Sequence, residues 1–152
     1  MTGRQKRLVQ ASFEQVKPIT NDAARLFYSC LFDLDPGLAA LFTGALEEQG
    51  HKLMQMIGVA VRGLDRLDKL APTLLALGSR HAAYGVDDHD YKSVGRALLW
   101  TLERALGPAF TPEVKDAWTI VYELLANTMK AGARSAVLVT VPAVDHRRLP
   151  RW

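Results

Sequence analysis

This sequence predicts an all-α domain, on three observations. Apolar residues recur at three- and four-residue spacing along most of the chain, no stretch before the tail alternates with period two, and prolines and glycines divide it into helix-length segments. With 152 residues, 49% hydrophobic and 23% charged, the chain suits a single domain with one sizeable core.

The elements follow in order. Leu8, Val9, Phe13 and Val16 predict a first helix that Pro18 closes, and a second runs from about Thr20 to Asp35. Asp35 precedes Pro36 and is pushed out of the helical region, so a short helical turn restarts there and ends at Leu41-Phe42. Thr43 and Gly44 read as a brief loop before the helix carrying Gln49, and residues Asp65 to Lys69 read as a link to the helix carrying His81. That helix is expected to stop near Gly85, a left-handed terminator. Tyr91, Val94, Leu98, Leu102 and Ala105 mark the buried side of a helix from about Asp88 to Leu106, which Gly107-Pro108 breaks. The last helix has the clearest start: Thr111 as cap, Pro112 at its first position and Glu113 in its first turn, where the helix dipole favours an acid. Its core stripe is Val114, Trp118, Val121, Tyr122, Leu125 and Met129.

Residues 1–132 are therefore read as the domain, and 133–152 as a basic extension expected either to be disordered or to lie back on the body. The tail carries Arg134, Arg147, Arg148 and Arg151 against Asp145, four minus one, which equals the whole net charge of +3. The body is near neutral, so no nucleic-acid face is expected, and the apolar run of the tail is too short to span a membrane. Cys30 is the only cysteine, which excludes an internal disulfide or a thiolate metal cluster and reads as a small buried hydrophobe. The segment MTGRQKRLVQASFEQ is basic but lacks the apolar core of a secretory signal, so a cytoplasmic protein is expected.

Two segments carry the candidate site. Gln49, Leu53, Met56, Ile57 and Ala60 share one helix face, placing one polar side chain at the mouth of an apolar stripe. Leu74, Leu77, Gly78 and His81 share another, with His81 32 residues after Gln49. The two faces read as walls of a haem pocket, gripping a planar macrocycle by apolar contact while a neutral imidazole supplies the axial bond iron needs. By spacing alone, a lone histidine on an apolar helix is more often a satisfied core residue, and a glutamine at a helix start can face solvent. Met54 and Met56 read as core or surface filler, and His51, His89 and His146 as exposed.

The segments LFYSCLF, DPGLAALF, KLMQMIGVAV, LGSRHAAYGV, YKSVG and LGPAFTPE occur in order across residues 5–130. Together they resemble the globin family, and within it the short bacterial single-domain globins, neuroglobin and the globin domain of flavohaemoglobins. The resemblance implies a globin fold, its helices packed around a haem pocket with a short or absent D helix, and haem b as cofactor. It makes His81 the proximal iron ligand and Phe42 the wedge against the macrocycle, with Pro36 opening that corner. Gln49 falls at the distal polar position, Leu53 at the apolar position over the iron, and Tyr28 at the distal tyrosine of many bacterial globins. Leu77, Val86, Tyr91 and Val94 match proximal pocket positions, and Lys52 a position from which a cation reaches a propionate. Residue by residue the plainer readings stay open: Tyr28 as a buried aromatic bonded to backbone, Lys52 as a solvated cation.

The resemblance implies reversible dioxygen binding, for transport or storage, with Tyr28 and Gln49 able to donate hydrogen bonds to a bound ligand. Nitric oxide, carbon monoxide and nitrite are the other ligands it implies. Nitric oxide dioxygenation or nitrite reduction would need a separate reductase, and a gas-sensing or regulatory module is the further alternative. A monomer or weak homodimer is expected. One departure from the flavohaemoglobin pattern bears on the choice. Tyr91 is present, but the stretch Thr128 to Ala133, where an acid should support the proximal histidine, holds no carboxylate. A weaker electronic push on the iron follows, favouring reversible binding over peroxidase-like chemistry. Tyr28, if deprotonated, is a candidate sixth ligand of ferric iron, whereas Gln49 is a poor one.

Overall fold

The computed structural model describes residues 1–42 and 45–137, and among these it is a globin fold of α-helices joined by short 3-10 turns. Helix α1 spans Gly3–Val16 and starts from a reciprocal cap: Thr2 Oγ1 accepts from the Gln5 amide at 3.1 Å, while the Gln5 side chain accepts from the Thr2 amide at 2.8 Å. A 3-10 turn containing Pro18 leads to α2, Thr20–Leu34. Asp35 is extended at φ −145°, as the residue before a proline must be, and Pro36–Leu41 form a 3-10 turn. Helix α3 spans Leu46–Arg62. The expected Thr43-Gly44 loop lies outside the described residues.

One boundary differs from expectation. The link read at Asp65 to Lys69 is shorter, because Gly63–Arg66 form a 3-10 turn and α4 already begins at Leu67, running to Ala83. Asp68 in its first turn complements the helix dipole, and burial of Leu70 makes the added turn favourable despite Pro72 within the helix. Gly85 takes φ 87°, which lets the chain reverse so that the Val86 amide donates to the His81 carbonyl at 3.1 Å. Helix α5, Asp88–Leu106, opens with a second reciprocal cap between Asp87 and Asp90. Gly107, at φ 55°, ends it, and α6 spans Pro112–Val137, with Thr111 Oγ1 accepting from the Val114 amide at 3.2 Å. The extension expected from residue 133 thus begins inside α6, and residues 138–152, His146 among them, lie outside the described residues.

Packing then fixes where the candidate residues stand. Helix α4 lies chiefly on α6, α2 on α5 and α3, and α1 on α6. Buried Trp118 joins α6 to α1 by donating its indole N–H to Ser12 Oγ at 2.8 Å, and that hydroxyl donates to the Leu8 carbonyl at 2.7 Å, so both side chains are satisfied. The closest approach is between α4 and α6. A Cβ added at Gly78 would stand 1.8 Å from the Met129 carbonyl oxygen, and one at Gly132 would stand 2.1 Å from the Leu75 carbonyl oxygen. Backbone meets backbone at both points, which only glycine allows. Among the described residues no helix is long and apolar enough to cross a membrane.

Gly78→Ala should therefore destabilise the protein by about 3 kcal/mol in urea unfolding, through overpacking against a backbone that cannot yield. Gly37→Ala, whose new Cβ would come no nearer than 3.4 Å to the Asp35 carboxylate, should stay within roughly 0.5 kcal/mol. Equal effects at the two positions would show that the α4–α6 contact is not the constraint it is taken to be.

Candidate functional site

His81 lies in the last turn of α4 and is fully buried, at 0% exposure. Its Nδ1 is 2.7 Å from the Leu77 carbonyl oxygen one turn earlier. A carbonyl can only accept, so Nδ1 carries the proton and Nε2 keeps the lone pair that a metal ion requires. Burial is the main reason its pKa falls from 6.5 to about 4; Arg80 adds to the fall, and the Leu77 contact opposes it. The imidazole is thus neutral and oriented at any physiological pH.

The apolar part of the stripe read from the sequence on α3 turns inward, while Gln49 is not part of the cavity lining. Leu53, Met56, Ile57 and Ala60 line an apolar cavity of about 90 Å³, with Leu74 and Leu77 of α4 and Tyr91 and Val94 of α5 closing other sides. The cavity lies where two buried clusters meet, one containing Leu53, Val94 and Phe27, the other Ala60, Leu77, Tyr91 and Val86. A core divided along a greasy seam is what a flat hydrophobic cofactor needs from its walls. Helix α6 supplies part of the lining through Val121, Leu125 and Met129. In the sequence these residues read as a core stripe, and nothing in its period tells a cavity wall from filled core.

A second group surrounds Tyr28. Its ring is 4% exposed and packs against Phe32 and Phe42 with ring centroids 5.8 and 5.4 Å away, edge-on to Phe42. Gly50 seats α3 against it, since an added Cβ there would meet Ala24 Cβ at 2.7 Å and Tyr28 Cε2 at 3.5 Å. Three buried side-chain oxygens have no hydrogen-bond partner among the described residues: Tyr28 Oη, Gln49 Oε1 and Tyr91 Oη. Stranding a polar group costs about 1–3 kcal/mol, so these atoms fit a site that takes a polar ligand. Burial raises the pKa of Tyr28 well above its ordinary value and that of Tyr91 to about 12, with Asp88 adding to the latter.

Of the residues singled out in the sequence, Leu53, Leu77, Tyr91 and Val94 share one cavity. Tyr28 and Phe42 are in ring contact, next to the helix start that carries Gln49. His81 and Val86 stand outside the cavity lining on the α4 side, Val86 packed in the cluster with Leu77 and Tyr91. Lys52 is partly exposed and pairs with Glu48 at 3.4 Å. Met54 is buried, His51 is exposed, and His89 is exposed while meeting Asp35 at 3.2 Å. The donor set offers one imidazole nitrogen, apolar walls and a few buried oxygens, which suits a planar apolar cofactor with a nitrogen-ligated metal. No cluster of three or more His, Cys, Asp or Glu able to hold a bare metal ion occurs among the described residues.

Comparison with known proteins bears on the family and the fold. The globin family model matches residues 25–129. Neuroglobin of Danio rerio is 31% identical over 146 residues, covering 87% of this chain and 92% of the relative. Neuroglobin of Chaenocephalus aceratus is 32% identical over the same shares. Among solved structures, an engineered carbene transferase from Rhodothermus marinus, named for nitric oxide dioxygenase, superposes with a TM-score of 0.81 at 24% identity, covering 91% of this chain and 96% of that one. A hexacoordinated haem protein from an anhydrobiotic tardigrade gives 0.78 at 19% identity, over 88% and 96%. A Malassezia yamatoensis flavohaemoglobin with bound FAD and haem gives 0.75 at 21% identity, over 90% of this chain but 37% of that chain.

The buried imidazole also sets a pH dependence of the apoprotein. With pKa values of about 4 folded and 6.5 unfolded, the unfolded chain binds a proton between those values that the folded chain does not, so stability falls as pH drops through this window. About 3 kcal/mol should be lost between pH 7.5 and 4 through this group. His81→Leu should flatten that part of the urea-unfolding profile; an unchanged slope would assign the loss to other groups.

Proposed function

The chain belongs to the globin family, and on that premise we propose that it holds haem b in the seam between α3 and α4, with His81 on the iron, and reversibly binds dioxygen. Bound haem would supply an iron able to take a diatomic gas. The observation that carries the reading is His81 itself: fully buried, neutral, and fixed by the Leu77 carbonyl in the tautomer that presents Nε2.

The remaining roles follow from the side chains. Leu53, Leu77, Val86, Tyr91 and Val94 supply the apolar grip, excluding water from the seam, and Phe42 wedges the edge beside Tyr28. Lys52, already turned toward Glu48, would exchange that surface pair for a propionate. Burial raises the pKa of Tyr28, so in the metal-free protein it is a phenol able to donate a hydrogen bond. Gln49 can donate through its amide nitrogen, and its buried oxygen has no protein partner among the described residues. The partner of Nδ1 is a backbone carbonyl, a poorer base than a carboxylate, which supports reversible binding over oxidative turnover.

Protein reconstituted with haem should give ferric, reduced and carbon-monoxide spectra of a histidine-ligated haem, and His81→Ala should lose them while keeping its helical circular dichroism. Spectra indifferent to His81 would remove the assignment. Tyr28→Phe should raise the dioxygen off-rate roughly tenfold, the worth of one hydrogen bond of about 1–2 kcal/mol in a dry pocket. An unchanged off-rate in stopped flow would show that the hydroxyl does not reach the ligand.

A further inference from the structure

We propose that the groove between α5 and α6 is the docking surface for an electron-donor protein with an acidic face, which reduces the haem through the wall formed by Tyr91. The inference rests on the haem reading above and adds the place and the charge of the partner. The groove has a volume of about 480 Å³ and opens on the surface. Tyr91 and Tyr122 belong both to its floor and to the lining of the apolar cavity, so the two spaces are one aromatic side chain apart. Tyr122 ties them together, its hydroxyl donating to the Tyr91 carbonyl at 2.6 Å. Gly95 keeps the floor low, since a Cβ there would meet the Tyr122 ring at 2.7 Å.

The rim is cationic. Lys92, Arg96 and Lys130 face the groove against a single carboxylate on its lining, Glu123. Lys92 and Arg96 stand in solvent, while Lys130 is held 5.3 Å over the Tyr91 ring and 3.6 Å from Asp88. Three cations against Glu123 and Asp88 leave this aromatic wall a net positive rim, where an opposed negative face would be steered and oriented on encounter. The chemistry would be a single outer-sphere transfer in which the donor gives up one electron to bound ferric haem and no bond forms or breaks.

The test uses the full-length protein loaded with haem and a reduced flavodoxin, a small acidic flavoprotein, as the donor probe. Ferric haem reduction is followed by stopped flow at low and high ionic strength. The double substitution Lys92→Glu with Arg96→Glu should slow reduction about tenfold at low salt, and the difference should vanish at high salt. The same change of charge at exposed Arg66 and Lys69 should leave most of the rate, and cationic hexaammineruthenium(II) should reduce the groove variant no more slowly than the wild type. Equal slowing by both reversals would mean net charge alone is read, and an unchanged rate with intact haem spectra would remove the docking surface; either overturns the proposal. If the wild-type chain takes up no haem, the underlying reading falls and the docking role falls with it, an outcome the spectra report separately from the rates.

Discussion

Backbone-to-backbone contact between α4 and α6 is the constraint on which the arrangement of this molecule depends. Gly78 rests on the Met129 carbonyl and Gly132 on that of Leu75, so the helix bearing His81 is anchored one turn before the histidine. Side chains hop between rotamers, whereas a backbone carbonyl inside a helix is fixed by its own hydrogen bond, and the contact therefore sets position with little play. The Leu77 carbonyl then sets orientation. A metal ligand needs both, because an imidazole in the right place with the wrong tautomer offers a proton where a lone pair is required.

The same economy explains the divided core. Apolar residues from α3, α4, α5 and α6 converge without closing on one another, and the cavity remains where the two clusters meet. An unfilled apolar seam forfeits dispersion contacts, and the stranded oxygens of Tyr28, Gln49 and Tyr91 forfeit hydrogen bonds. By contrast, Trp118 and Ser12 satisfy their buried groups through the Trp118–Ser12–Leu8 chain. A ligand that fills such a space or meets such oxygens recovers these losses.

Much of this was legible along the chain. The caps at Thr111 and the proline and glycine breaks located the helix ends, because those residues act on their immediate neighbours. The α3 face came through nearly whole: Leu53, Met56, Ile57 and Ala60 all turn to the cavity, as helical spacing requires. The start of α4 was read late, since Pro72 and the charged run before it suggest a link, while the burial of Leu70 that extends the helix depends on partners distant in sequence. The α6 wall was seen only as core, and Gly132 gave no signal of its own.

The sequence by itself determined the helices, their inward faces and the identity of the buried imidazole, because each depends on residues within a turn or two of one another. Its ordered likeness to one family also pointed to the fold. Tertiary structure alone decided that α4 meets α6 at the backbone, that the apolar faces leave a seam, and that Tyr91 stands between that seam and a cationic groove. Those are relations between helices far apart along the chain. They arise from close packing in three dimensions, which hydrophobic periodicity orients but does not measure.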